Sequence, residues 1–107
     1  MPDETVLHVA PAIPSELSEL ARLMKVLVVD DSRTLRRLLI RELNGMGITQ
    51  ITEAGDGNEA LTKIRADQFD LVLLDMEMPD LDGLEVLKAV KADPDLSYLP
   101  VIMVSSV

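Results

Sequence analysis

A chain of 107 residues, 48% apolar and 27% charged, has room for one packed core and the composition of a globular domain. Its net charge of −9 argues against direct binding to nucleic acid, and Arg22, Lys25, Arg33, Arg36, Arg37 and Arg41 read as a solvated helix face rather than a phosphate-binding patch. The apolar runs Leu71 to Leu74 and Val101 to Val104 fall far short of the roughly 20 residues that cross a bilayer, Asp3 and Glu4 do not suit a secretory signal, and the lack of cysteine excludes disulfides and thiolate metal sites, all of which fits a cytoplasmic protein.

Residues 1–24 read as a leader. Pro2, Pro11 and Pro14 punctuate an extended start, and Ser15 is placed to cap a short amphipathic helix over residues 16–24 with Leu17, Leu20, Ala21 and Met24 on one face. From Lys25 the pattern changes to βα repeats. Lys25 to Val29 (KVLVV) is a continuous apolar run suited to a parallel strand buried on both faces. A helix follows, with Leu35, Leu38, Leu39, Leu43 and Met46 at helical spacing, Arg33, Arg36, Arg37 and Arg41 mostly opposite, and Asn44-Gly45 as its stop. Ile48 to Ala54 alternates and is rich in β-branched residues, as an outer strand would be. After the turn Gly55-Asp56-Gly57, the residues Ala60, Leu61 and Ile64 mark a second helix, and Phe69 to Leu74 the next buried strand. Asp82-Gly83 opens a helix carrying Leu84, Leu87 and Val90 that ends near Asp93-Pro94, and Leu99 to Val104 is a fourth strand. Strands alternating with helices predict an α/β fold, a doubly wound parallel sheet with helices on both faces.

In such sheets ligands gather beyond the carboxyl ends of the strands. Asp30 and Asp31 directly follow the first strand and Asp75 directly follows the third, so the spacing predicts that these carboxylates share one pocket. Like charges that close raise a pKa and cost stability unless a cation neutralises them. Oxygen ligands without His or Cys suit a hard ion, and Mg²⁺ above all, because it leaves positions open for phosphate oxygens. A carboxylate beside such an ion is a competent nucleophile toward phosphorus. Ser105, just past the fourth strand on the same edge, is placed to donate a hydrogen bond to a phosphate on Asp75. Taken singly, each aspartate would be an ordinary helix cap or turn residue; their convergence on neighbouring strands makes the functional reading the stronger one.

The stretches KVLVVDDSRTLRR, EAGDGNEAL, FDLVLLDMEMPDLDGLEVL and LPVIMVSS resemble the receiver domain of bacterial response regulators, over residues 25–107, with the chemotaxis receiver a close analogue. The resemblance implies a flavodoxin-like receiver fold and a phospho-accepting switch of two-component signalling, not a turnover enzyme. It makes Asp30 and Asp31 the acidic metal pair, Asp75 the phosphorylated aspartate, the backbone carbonyl of Glu77 a further metal ligand and Ser105 the switch residue. The donor it implies is a phosphohistidine on a sensor histidine kinase or phosphotransfer protein, and the reader of the switch an output domain or protein of unknown kind. The family pattern continues with a fourth receiver helix, a fifth strand followed by a lysine, and a fifth helix, so residues 25–107 are expected to be a truncated receiver lacking that last helix-strand-helix portion. The surface so exposed predicts a homodimer, or a leader helix acting as partial cover.

Two other classes are weighed against the switch. A phosphatase with a strand-end Asp nucleophile would need a second Asp two residues on, where this chain has Glu77, and would leave Asp30-Asp31 without a role. The remaining alternative is a non-switchable receiver fragment serving as a folding or interaction module. His8, alone in the leader, reads as an exposed residue rather than a second phosphotransfer site.

Overall fold

The computed structural model describes residues 15–105; the expected extended start, His8, Ser106 and Val107 lie outside them, as does a cap from the Ser15 side chain. The elements run α1 (Ser15–Leu23), β1 (Lys25–Val29), α2 (Arg33–Gly45), β2 (Gln50–Ala54), α3 (Gly57–Ala66), β3 (Leu71–Asp75), α4 (Gly83–Ala92) and β4 (Val101–Val104). The four strands form one parallel sheet in the order β2-β1-β3-β4, with Val26 opposite both Ile51 and Leu71, and Val72 opposite Val101. The chain thus builds outward from β1 in both directions, and the β1/β3 boundary is where the winding reverses.

Alternation along the strands divides the core in two. On one face Leu27, Val29, Val72 and Leu74 pack with Ala60, Leu61 and Ile64 of α3 and with Val86 and Val90 of α4. On the other, Val26, Val28 and Leu73 meet Leu43 of α2, with Leu39, Ile40, Ala21 and Met24 around them. β1 is buried on both faces, as its unbroken apolar run requires. The second face is the thinner: Leu35, Leu38 and Ile102 stay exposed, and a 260 Å³ apolar groove runs between α2 and the end of β4.

Several sequence expectations shift. Gly45 ends α2, but the left-handed turn comes two residues later at Gly47, φ 91°. β2 and β4 each begin two residues late, β3 starts at Leu71 with Phe69 buried just ahead of it, and Asp75 is the last residue of β3 rather than the first beyond it. In α4 Val90 and the partly buried Leu87 face the core as expected, joined by Val86, while Leu84 is half-exposed at the tight helix entry beside Gly83. Of the face expected in α1, Ala21 and Met24 pack against the sheet and Leu17 and Leu20 remain exposed. Nine residues of amphipathic helix held at one end can bury only that end; the Gln50 side-chain amide anchors it by donating to the Arg22 carbonyl at 2.7 Å.

Candidate functional site

The carboxyl rim of the sheet is built by three short connections. Asp30 continues β1: its backbone N–H donates to the Ala54 carbonyl at 3.2 Å, and its Oδ1 accepts the Ser32 N–H at 2.8 Å in a local turn that places Ser32 as the cap of α2. Asp75 ends β3 opposite Val104, and its Oδ1 accepts the Glu77 N–H at 3.1 Å. Asp56 and Asp82 cap α3 and α4, the latter in a reciprocal capping box with Glu85.

Glycine is required where α4 begins. A Cβ on Gly83 would sit 2.0 Å from the Asp75 carbonyl oxygen, so the helix start can lie against the end of β3 only without a side chain there. Gly57 performs the same service for α3: a Cβ there would lie 2.4 Å from the Leu81 carbonyl.

The result is that Asp30, Asp31 and Asp75 each offer a carboxylate oxygen, all within 4.8 Å of one another. Asp30 and Asp75 are buried and Asp31 is exposed, so the cluster opens to solvent on one side. Burial pushes the Asp75 carboxyl up from its ordinary value, the charges of Asp30 and Asp31 add to the shift, and the Glu77 N–H opposes it. Among the described residues no Lys or Arg forms an ion pair with any of the three; the ion pairs join Arg22 to Glu19, Lys25 to Asp67, Arg36 to Glu53 and Lys63 to Glu59. An all-oxygen, uncompensated donor set of this size fits a hard divalent cation.

The two other residues singled out in the sequence lie nearby. Glu77 is tied to the cluster through its backbone, by the bond from its N–H to Asp75. Ser105 is exposed and lines, with Asp30, Leu35, Leu38, Leu39, Glu42 and Val104, the apolar groove beside the cluster. Sequence reasoning passed over Arg36. Far from lying on a solvated face, its guanidinium donates to the Asp30 carbonyl at 2.6 Å and to Glu53 Oε1 at 2.9 Å.

A doubly wound parallel sheet with an acidic cluster at the point where its winding reverses defines an α/β protein with an acidic carboxyl rim. Comparison with known proteins names the class. A family model described as "Response regulator receiver domain" matches residues 26–107. The chain is 42% identical over 83 residues to the chemotaxis protein CheY of Pseudomonas aeruginosa, covering 78% of this chain and 67% of that one. Among solved structures it is similar to the N-terminal domain of a response regulator receiver protein from Methanoculleus marisnigri (TM-score 0.71, 38% identity, 76% of this chain and 65% of that one). It is also similar to the receiver domain of the histidine kinase CKI1 from Arabidopsis thaliana, complexed with Mg²⁺ and BeF₃⁻ (TM-score 0.70, 30% identity, 84% and 70%). The chain belongs to the response regulator receiver family of two-component signalling. It spans about two thirds of the length of these relatives. No helix of the described residues is long and apolar enough to cross a membrane.

Proposed function

We propose that this chain is a phospho-accepting switch whose Asp75 takes a phosphoryl group from a phosphohistidine of a sensor histidine kinase or phosphotransfer protein. The carrying observation is the convergence of three carboxylate oxygens within 4.8 Å with no cationic side chain paired to them among the described residues. Asp30, Asp31 and Asp75, with the Glu77 backbone carbonyl, would hold Mg²⁺. When bound, the ion neutralises charge on the carboxylates and on the incoming phosphoryl oxygens.

The chain's own residues do the rest. A carboxylate oxygen of Asp75 bonds to phosphorus as the phosphorus–nitrogen bond to the donor imidazole breaks, and the bonding pair returns to that nitrogen, so that the imidazole leaves neutral with the proton its other ring nitrogen already carries. The Glu77 N–H, bonded to Asp75 Oδ1, orients the nucleophile, and Asp30 is oriented by Ser32. The Ser105 hydroxyl donates to the phosphoryl oxygens once they are in place, drawing the end of β4 toward the site. Asp75 is itself the acceptor and keeps the phosphoryl group, so the chain acts as a switch and not as a turnover enzyme. Its readers are an output domain or protein, and possession of Mg²⁺ by the CKI1 receiver supports the same ion here.

Incubation with Mg²⁺ and a small acyl-phosphate donor, followed by intact-mass measurement, tests the reading. One added phosphoryl group is expected on the wild type, none on Asp75→Asn, and none when the metal is chelated. An unmodified chain, alongside a relative that is labelled in parallel, overturns it. The exposed Leu35 and Leu38 that line the groove, with the exposed Ile102 of β4, favour a second reading in that event, an interaction module that associates with another protein or with its own copy.

A further inference from the structure

The contacts of Arg36 point to a role in the acidic rim. Arg36 lies in the first turns of α2, where side chains lean back toward the helix start. That lean carries its guanidinium over the β1–α2 connection to the Asp30 carbonyl, at 2.6 Å from Nη1, while Nε meets Glu53 Oε1 at 2.9 Å. Asp30 is thereby held through three groups: its N–H by the Ala54 carbonyl, its C=O by Arg36, and its Oδ1 by the Ser32 N–H. The Arg36 side chain is only 16% exposed, although it points toward the rim of the sheet. Its cation does not pair with Asp30 or Asp31; its carboxylate partner is Glu53 on the neighbouring strand. Arg36 and Glu53 together are electrically neutral, so the brace fixes the backbone of Asp30 while leaving the negative charge of the cluster for an incoming cation.

We infer that Arg36, braced by Glu53, is a positioning residue that sets Asp30 for cation binding, a claim that rests on reading the acidic cluster as a Mg²⁺ site. An arginine is suited to the task because its planar fork serves two acceptors at once, whereas a lysine offers a single point charge. Groups that orient a ligand from behind typically matter by tenfold or more in metal affinity.

Charge alone and positioning predict opposite signs, which makes the test sharp. Removing a cation close to an acidic cluster strengthens divalent binding if Arg36 acts only through its field. If Arg36 positions Asp30, removal weakens binding. Mg²⁺ titration by calorimetry and by backbone amide shifts, with thermal unfolding in parallel, is the measurement. Arg36→Met is expected to raise the Mg²⁺ dissociation constant about 10-fold, and Arg36→Lys to recover part of that loss. Glu53→Gln is expected to weaken binding too, by freeing Arg36 from its brace. An Arg36→Met protein that binds Mg²⁺ as tightly as wild type, or more tightly, overturns the inference, whatever its thermal stability.

Failure of the site reading is separately visible, as a wild-type protein that shows no Mg²⁺ binding. In that case the metal-free amides decide: faster hydrogen exchange at Ser32 and Asp30 in Arg36→Met, relative to the core strands, supports the positioning role, and unchanged exchange refutes it.

Discussion

The two rims of the sheet use the same residue type to opposite ends. At the amino rim, Asp67 pairs with the Lys25 ammonium at 2.5 Å, and Asp70 accepts the Lys25 backbone N–H at 2.8 Å. The hydrogen bond from Lys25, helped by the Gln68 N–H, holds the Asp67 carboxyl below its ordinary value. At the carboxyl rim, Asp75 is buried beside Asp30 and Asp31, and its carboxyl is driven up. One rim is satisfied within the chain; the other is left short of positive charge. A protein gains nothing in stability from the second arrangement, so an uncompensated acidic rim is where a ligand is to be sought, and the neutral Arg36–Glu53 brace beside it shows that the shortage is not for want of a nearby cation.

The contrast can be broken most severely at Gly83. Because a Cβ there would overlap the Asp75 carbonyl, Gly83→Val is expected to push α4 off the end of β3 and to cost about 3 kcal/mol in denaturant unfolding. Mg²⁺ should remove the frustration without touching the amino rim: at about 100 times its dissociation constant it adds about 2.7 kcal/mol to wild-type stability, and little to Asp75→Asn. Without metal the sign reverses, since Asp75→Asn relieves a buried charge among like charges and should stabilise the protein near pH 7 by on the order of 1 kcal/mol. Asp67→Asn, made in parallel, should slightly destabilise it, as expected for a half-exposed pair. Equal signs for the two variants would erase the distinction between the rims.

The smallest effect is in the pH dependence. Asp75, with its folded-state pKa raised, penalises the metal-free fold above that pKa; the penalty is relieved as pH falls toward the ordinary value of 3.8, where the unfolded carboxyl also protonates. Asp67 and Glu59, with lowered values, act the other way: their stabilisation is present above 3.8 and 4.5 respectively and is lost as pH falls through their folded-state values. The stability profile of Asp75→Asn should therefore climb more steeply than that of wild type as pH rises from 3.8 toward the raised folded-state value of Asp75. Matching slopes from equilibrium unfolding at several pH values would count against the raised carboxyl.

Legibility followed the range of the interactions. The apolar run of β1 names a strand buried on both faces because any such run must find two covers, and the structure buries Val26 to Val29. The ten residues of α3 were readable from Ala60, Leu61 and Ile64, all of which face the core. The stripe of α4 was readable in part: Val90 is buried and Leu87 packs on the core, but Val86 is buried where Leu84 is half-exposed, beside the close approach of Gly83 to Asp75. Arg36 was misplaced for a related reason. Helical periodicity gives its angle about the axis but not the reach of its side chain, whose partners lie in a loop and on another strand.

By itself, the sequence determined the alternation of strands and helices, the parallel sheet and the gathering of Asp30, Asp31 and Asp75 at one rim, because burial patterns and short connections are local properties that topology rules convert into neighbours. Only the tertiary structure decided that Asp75 closes β3, that Gly83 must lie against it, and that Arg36 serves Asp30 rather than solvent. Those outcomes rest on contacts of a few ångströms between segments distant in the chain, which no periodicity encodes.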